Sequence, residues 1–434
     1  MRVVNAILHG HGPGTSKPGI QGAVLLVALA GTVSLCLAGR VSADMSSQFG
    51  LSPRAIGMAN AVSAVIDDYS AVYYNPAGLA QSSESGFTLG YFYGQPRVKI
   101  RAEGGSREIG FKSPMNVGVI GYRQALFRDY WKKNVVVALA LAYPENFKAA
   151  TMVRTKYYGE RQWPVFGRVH DMLVMSGGMG IQVHRMAYVG VGMRFAVTYS
   201  AQDITILLRL RERSVEYQHV DINADSEVQP IAGFVVRPWD RLRVAAVWRR
   251  GGAPVSLVGK GQGGAEIGDL VVPVALDLNF KDFYTPDEIA ASVAFEPYDR
   301  LLVACEATYA LWSDYDVPYD RRPPGNPFSD IVVPRVGLEY RLSDTARIQA
   351  GYYYQPSPVK GVQPFTQYLD ADEHVLSAAG ELSVPIPRLL EYPLRFRLCL
   401  QYQYLPQRRL STVNGTTTVW GYLITVGGTV ELRF

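Results

Sequence analysis

Charged side chains that could pair with one another recur at every second position in several parts of the chain. In residues 394–404, arginine and glutamine alternate with leucine, phenylalanine and tyrosine. A charge buried without a partner is costly, so charges that share a face are expected to form ion pairs. We therefore predict a charged network in a polar interior, which stabilises the fold and could also set the interior potential or anchor another segment. Its predicted members are Asp67, Asp68, Glu306, Arg335, Glu339, Arg341, Arg347, Arg395, Arg397 and Glu431.

A second group of candidate residues lies in the segment 144–171, where aromatic and basic side chains are interleaved. Such a surface could capture an amphipathic acid, with the apolar tail on the rings and the carboxylate on arginine or lysine. Packing of the loop on its neighbours or on lipopolysaccharide is the alternative interpretation. The candidate capture residues are Phe147, Lys148, Arg154, Lys156, Trp163 and Phe166.

Catalysis and metal binding are not indicated. Beyond residue 43, histidine occurs only at positions 170, 184, 219 and 374, and no Gly-x-Ser-x-Gly motif or paired-histidine metal spacing occurs. Alternation places Cys305 and Cys399 on opposite faces, where a disulfide cannot form. We expect no enzyme activity, no cofactor and no metal.

Composition narrows the class of protein. Beyond the N-terminus there is no run of 18 or more apolar residues, which excludes a helical membrane protein. Only 19% of residues are charged, while tyrosine (27) and glycine (42) are abundant, as in a barrel with aromatic girdles. The net charge of +5 is spread thinly and forms no basic stripe, so nucleic-acid binding is not expected.

The elements that must position the charged residues are β-strands. From Tyr422 to Phe434 every second residue is apolar or glycine, which gives a strand one apolar and one polar face. In hydrocarbon an open sheet edge leaves backbone groups unpaired, so repeated strands of this kind must close into a barrel. The predicted strands span 86–93, 115–123, 134–143, 172–184, 187–200, 227–237, 242–250, 288–297, 300–312, 331–343, 346–356, 374–385, 394–405 and 421–434.

These segments predict an all-β fold, a transmembrane antiparallel β-barrel of 14 strands, with 12 or 16 as alternatives. Short and long connections alternate along the chain, as in outer-membrane barrels, where the short turns are periplasmic and the long loops extracellular. The segments 271–280 and 201–213 also alternate, and we place both in extracellular loops because counting them as spans would break this parity.

The residues before the first strand have two predicted parts. Residues 1–43 are predicted to be a cleaved signal peptide. They contain the basic residues Arg2 and Lys17, then an apolar stretch, and Val41-Ser42-Ala43 before the cleavage site. A membrane anchor is the alternative. Residues 44–85 are predicted to form a hatch, because the lumen of so large a barrel is too wide for side chains to fill. Residues 86–434 are predicted to form the barrel.

Several motifs resemble the FadL/TodX family of outer-membrane transporters for long-chain fatty acids and other hydrophobic compounds. In chain order they are Gly57-Met58-Ala59, Asp67-Asp68, Tyr73-Tyr74-Asn75-Pro76-Ala77-Gly78-Leu79, Thr285-Pro286-Asp287-Glu288, the segment 294–300, the segment 311–315 and the segment 351–359. The resemblance implies a fourteen-strand barrel with an N-terminal hatch that carries Asn75, Pro76, Ala77 and Gly78. These four residues could shape the substrate path, or form a tight turn that holds the plug.

The resemblance further implies energy-independent uptake of hydrophobic molecules, first of all long-chain fatty acids, across the outer membrane of a Gram-negative bacterium. Ligand captured at the extracellular loops would pass beside the hatch and leave through a lateral opening in the wall. The alternatives are an uptake channel for aromatic or alkane hydrocarbons and a non-transporting partner barrel in secretion or surface assembly. Expected partners are the hydrophobic ligand, the bilayer and lipopolysaccharide, with the protein as a monomer.

Overall fold

The computed structural model describes residues 50–104, 109–111, 114–126, 134–144, 174–209, 214–252, 255–267, 270–282, 285–315, 326–363, 368–386, 390–413 and 415–434. For 109–111, 144, 174, 196–209, 214–227, 255–267 and 270–282 it describes the backbone alone. The predicted signal peptide and the six candidate capture residues of the 144–171 segment lie outside the described residues.

One continuous sheet contains all the strands of the described residues. The strands are β1 (Gly86–Ala102), β2 (Ile109–Phe111), β3 (Met115–Leu126), β4 (Val135–Pro144), β5 (Val174–His184), β6 (Ala187–Arg209), β7 (Ser214–Trp239), β8 (Leu242–Arg249), β9 (Val255–Ile267), β10 (Leu270–Asp282), β11 (Glu288–Tyr298), β12 (Leu301–Ala310), β13 (Ile331–Arg341), β14 (Ala346–Gln355), β15 (Glu373–Val384), β16 (Leu394–Thr412) and β17 (Gly415–Arg433).

Fourteen of these strands close into a ring in which every neighbouring pair is antiparallel. The ring is completed by β1 and β17, which pair from Gly86↔Arg433 to Ala102↔Thr417. Three strands are accessory: β2 pairs with β1, and β9 and β10 form a hairpin that joins β6 through a parallel pairing. The predicted fourteen-strand antiparallel barrel is therefore confirmed.

The wall of the barrel has its apolar face outside and its polar face inside. On β16, Leu398 is 69% exposed whereas its neighbour Arg397 is 3% exposed. The other strands have the same arrangement of an apolar outer face and a polar inner face, and their leucine, valine and tyrosine side chains point outward. A water-soluble sandwich would bury these side chains, so the outward band is suited to lipid. Cys305 is exposed and Cys399 is buried, so the two thiols lie on opposite faces as predicted.

The two ends of the barrel differ. At the turn end, where β1 begins and β17 ends, connections are as short as His184–Ala187 and Trp239–Leu242. The loop end, where the long connections lie, carries strand extensions: β6 has 23 residues and β7 has 26. A tilted strand crosses a membrane in about 9–11 residues, so these two strands continue beyond it.

Strand limits at the loop end were predicted too short. The segment 201–213 was predicted to lie in an extracellular loop hairpin; its residues 201–209 continue β6 and pair with β7, because a strand can keep pairing outside the bilayer. The segment 271–280 lies in β10, in the hairpin beside β6. Among the described residues, no helix is long and apolar enough to cross a membrane.

Residues 50–85 lie inside the ring. They form helices α1 (Pro53–Gly57) and α2 (Ala71–Tyr74) and a 3₁₀ helix, Pro76–Gln81. Tyr69 lies against Gly121 of β3, Ala77 against Gly190 of β6, and Ala59 against Gly351 of β14. Strands on different sides of a ring can contact one short segment only if it occupies the bore. The apolar core of the molecule is accordingly formed by this segment and the small side chains that face it.

The inverted wall leads to a first prediction. Replacing Leu398 with arginine should lower the free energy of unfolding by about 2–4 kcal/mol, because the side chain is 69% exposed on the lipid-facing side of β16. The measurement is urea unfolding in lipid vesicles, and Asp344→Arg, in an exposed turn, is the control. Equal stability of the two variants would contradict a lipid-facing position for Leu398.

Candidate functional site

The Asn75-Pro76-Ala77-Gly78 motif joins the N-terminal segment to the wall. The Asn75 side-chain oxygen accepts a hydrogen bond from Ala77 N (3.1 Å) and so caps the 3₁₀ helix. Its amide nitrogen donates to Ser63 O (2.8 Å) within the segment and to Phe234 O (3.2 Å) on β7. A single side chain thus fixes the turn, the segment around Ser63 and the barrel wall relative to one another.

The wall beside this motif is built from glycine because the two backbones touch. A Cβ added at Gly180 would lie 2.5 Å from Pro76 O, and one added at Gly190 would overlap the backbone of Pro76 and Ala77. No larger residue fits at either position without moving the segment. These glycines were not predicted as site residues, although glycine at alternate positions of neighbouring strands was a readable signal for close approach.

A second contact of the same kind lies across the bore. A Cβ added at Gly351 of β14 would lie 2.6 Å from Ala59 N, and one at Gly337 of β13 would lie 2.6 Å from Met58 O. Ala59 and Asn60 have positive φ angles of 53° and 60°, which side-chain-bearing residues seldom adopt. The segment is therefore held between two glycine-lined surfaces, one on β5–β6 and one on β13–β14.

Ion pairs add a further attachment. Arg54 of α1 donates from Nε to Glu339 Oε2 of β13 (2.7 Å) and from a terminal nitrogen to Asp67 Oδ1 (2.9 Å). Burial alone would raise the pKa of Asp67, but Arg54 and then Arg123 outweigh it and hold that pKa below its usual value. Arg54 was not predicted, because its position in the N-terminal segment gave no alternation to read.

A denser network lies on β15, β16 and β17. Arg397 contacts Glu381 at 2.6 Å, Glu431 at 3.1 Å and Asp68 of the N-terminal segment at 3.6 Å. Arg395 contacts Glu431 at 3.2 Å. Buried charges of this kind are tolerated only when they are paired, and here the pairing links the segment to the wall.

Several further residues of the charged network were not predicted. Glu84, just before β1, contacts Arg433 at 2.6 Å, Arg123 at 3.4 Å and Arg395 at 3.7 Å. Together with Arg54 and Glu381, these residues show that the network extends over the join between the N-terminal segment and the closing strands.

Some predicted members of the network have other partners. Arg347 lies 3.9 Å from Glu339. Glu306 accepts a hydrogen bond from Ser63 N at 2.9 Å, whereas Arg335 donates to Thr308 Oγ1 at 2.6 Å and lies over the Tyr353 ring. Glu306 and Arg335 are directly opposite in the sheet, yet their side chains bind these other groups.

Arg341 differs from the other predicted members. Its side chain forms no ion pair within the described part of the chain, although it lines the same cavity as Glu339. Its membership of the paired network therefore stays a prediction. The alternation placed Arg341 on the correct face but could not identify its neighbours across the bore.

The loop end carries an aromatic cluster that was not predicted. Phe328, after β12, lies 4.8 Å from Tyr368, 5.0 Å from Tyr315 and 5.9 Å from Trp312, measured between ring centroids. The residues come from the connections that precede β13 and β15. They form a buried apolar cluster at the loop end of the barrel.

A buried carboxylate lies beside this cluster. Asp370 is 1% exposed and accepts a hydrogen bond from Ser357 Oγ at 2.6 Å. Burial raises the pKa of Asp370 to about 7, against the opposing effects of Ser357 and Arg408. The acid therefore ionises near neutral pH, unlike an exposed aspartate.

The contact at Gly190 gives a second prediction. Gly190→Val should displace Pro76 and Ala77 at an overpacking cost of about 1–3 kcal/mol, and should speed amide hydrogen exchange in residues 71–81. Gly380→Val is the matched control, because a Cβ there would have only Arg347 O near it, at 4.0 Å. Unchanged exchange in Gly190→Val would contradict the direct contact between motif and wall.

Asp370 gives a third prediction, on pH. Its folded-state pKa is raised from 3.8 to about 7, so its contribution to loop stability is complete below pH 3.8 and is lost as pH rises through 7. Hydrogen exchange in residues 356–363 and 368–372, corrected for intrinsic rates, should show this loss. Asp370→Asn should flatten the profile, and Asp299→Asn at the turn end should not. Protection that increases with pH in the unaltered protein would contradict the assignment.

No protein-family model matches the chain. A curated relative, alkane uptake protein A of Marinobacter nauticus, is 22% identical over 440 residues, which cover 95% of this chain and 96% of the relative. The similarity therefore extends over nearly the whole length of both proteins.

Solved structures share the barrel. The Pseudomonas putida toluene transporter TodX matches with a TM-score of 0.57 at 16% identity, over 89% of this chain and 99% of that chain. The monoaromatic hydrocarbon channel CymD matches with a TM-score of 0.54 at 14% identity, over 89% and 98%. The Ralstonia pickettii toluene transporter TbuX matches with a TM-score of 0.52 at 14% identity, over 89% and 99%.

These relatives are an uptake protein, two transporters and a channel, which supports the prediction that the protein is not an enzyme. The resemblance predicted from the sequence motifs is also confirmed. The chain is a distant homologue of alkane uptake protein A and has the barrel fold of the FadL/TodX family.

Proposed function

We propose that the protein is an outer-membrane channel for the uptake of hydrophobic molecules, driven by their own concentration gradient. The observation that carries the proposal is a closed lipid-facing barrel whose bore is occupied by its own residues 50–85. A bore of this kind must be blocked to water yet be able to open beside the blocking segment. No nucleotide or metal chemistry is needed for such a passage.

Hydrocarbons are the substrates that we favour. The curated relative over the whole chain is an alkane uptake protein, and the matching structures include toluene transporters. An alkane or aromatic compound has no head group, so burial of carbon alone must provide its affinity, at about 0.8 kcal/mol per CH₂ group.

Long-chain fatty acids are the second candidate. The interleaved basic and aromatic residues of the 144–171 segment favour them, since a carboxylate needs a cationic partner. The two substrate classes differ in one testable respect. Uptake of an acid should depend on charge and on Lys148, Arg154 or Lys156, whereas uptake of a hydrocarbon should not.

Residues 50–85 act as the hatch in this proposal. Their ion pairs with Glu339, Arg395 and Arg397 lie in the half of the bore near the turn end, which we assign to the periplasmic side. An apolar molecule cannot replace the hydrogen bonds of these charged groups, so crossing this half is unfavourable. Release through the wall, above the ion pairs, is the route that we propose.

Transport gives the fourth prediction. Cells that produce the protein should accumulate labelled hexadecane and toluene faster than cells without it, and excess alkane should compete for this uptake. Labelled oleate tests the acid. Gly190→Val should change the uptake rate because it displaces the hatch, whereas Gly380→Val should retain the rate of the unaltered protein.

The outcomes separate the candidate functions. Uptake of hydrocarbons without oleate supports the hydrocarbon channel, and the reverse supports the fatty-acid channel. A folded barrel in the outer membrane that accelerates none of the three compounds would overturn the uptake proposal and favour a non-transporting partner barrel in secretion or surface assembly.

A further inference from the structure

The turn end of the bore carries a row of like charges. Arg341 of β13 and Arg347 of β14 are directly opposite in the sheet register. Arg300, in the turn before β12, accepts a backbone hydrogen bond from Arg341 N at 2.8 Å and is therefore its neighbour on the other side. Like charges directly opposite one another destabilise a sheet. Arg347 has Glu339 at 3.9 Å, whereas Arg300 and Arg341 are exposed, so an anion from solution could relieve the repulsion between them.

The row borders a cavity of about 170 Å³ between the wall and the N-terminal segment. All three arginines line it, as does Arg237 at the turn end of β7. Arg54 and Val65 of the N-terminal segment also line it. The cavity therefore lies where the hatch meets the wall, outside the glycine-lined contacts.

The carboxylates around the cavity are already paired with other arginines. Glu296 contacts Arg243 at 2.8 Å, and Asp299 contacts Arg241 at 2.6 Å. Glu339 and Asp67 are held by Arg54 at 2.7 Å and 2.9 Å.

Three lining arginines have no such partner. The side chains of Arg237, Arg300 and Arg341 form no ion pair and no hydrogen bond with the described residues. Arg300 and Arg341 are exposed and Arg237 is half-buried, so none of the three is engaged by a carboxylate of the described residues.

We propose that this cavity binds an oxyanion, a carboxylate or a phosphate group, at the periplasmic mouth of the barrel. Guanidinium groups bind both kinds of group through paired hydrogen bonds, and the arginine row provides several such groups on one surface. A volume of about 170 Å³ holds a phosphate or carboxylate together with water molecules. The site is independent of the compound that the channel transports, so failure of the uptake proposal would leave it intact.

The occupant could be a free inorganic anion or the head group of an acyl-chain acid, and two probes distinguish these sources. Purified full-length protein in an uncharged detergent is titrated by calorimetry with inorganic phosphate and, separately, with octanoate below its micelle concentration, at constant chloride. Binding of phosphate indicates a site for free oxyanions. Binding of octanoate but not of acetate indicates a site for an acyl-chain head group.

Variants test whether the arginine row is the site. Arg341→Gln and Arg300→Gln should each weaken binding of the active probe by about tenfold, the effect of losing a hydrogen bond to a charged group. Arg185→Gln removes the same charge in another exposed turn at this end and should leave binding unchanged. If neither phosphate nor octanoate binds, the proposal is overturned. It is also overturned if Arg341→Gln and the unaltered protein bind the active probe with equal affinity.

Stability gives a second readout that does not depend on titration heats. Without oxyanion, Arg341→Gln should unfold at a higher temperature than the unaltered protein, because the variant lacks the repulsion between neighbouring arginines. The active probe should stabilise the unaltered protein more than the variant. If the probe stabilises both proteins equally, the site is not at the arginine row.

Discussion

The pairing of β1 with β17 is the constraint on which the rest of the structure depends. In lipid every backbone N–H and C=O must be hydrogen-bonded within the protein, and only a closed ring leaves no edge. Closure with fourteen strands fixes a bore too wide to be filled by wall side chains. The bore must then either conduct water or hold another part of the chain. Residues 50–85 fill it, so their apolar and small composition follows from a requirement set by the closing strands.

Two kinds of contact hold this segment, and they have different physical consequences. Backbone contact at Gly190 and Gly351 allows almost no displacement, because no flexible side chain lies between the two surfaces. The ion pairs of Arg54 with Glu339 and of Asp68 with Arg397 are buried, and breaking one would leave charges without partners. Expulsion of the whole segment would break both sets of contacts together. Opening a passage by a local movement at one side is therefore far less costly than removing the segment, since the other attachments remain.

The strands could be predicted because apolar and polar side chains alternate along a strand, and this alternation is visible in consecutive residues. All fourteen predicted spans overlap strands of the ring, and the first begins at Gly86 as expected. Alternation also identified which side chains face inward. Glu381 lies directly opposite Arg397 in the sheet, so it could have been read from its own strand, but it was overlooked. Alternation gave no partner for Arg341 and could not identify contacts with the N-terminal segment, so Arg54 was missed. Those contacts depend on how the N-terminal segment folds inside the ring, and that segment has neither a regular period nor a long helix to read.

The bore is divided into chemically different halves, and this division constrains what can pass. Near the loop end the rings of Phe328 and Tyr368 pack together in a buried apolar cluster. Near the turn end the lining is arginine and carboxylate, and its surplus charge is positive around Arg300 and Arg341. An apolar molecule gains nothing by entering the second half, whereas an anion from the turn side does. In the two proposals together, hydrophobic compounds enter at one end and the oxyanion binds at the other, so the two do not share a path.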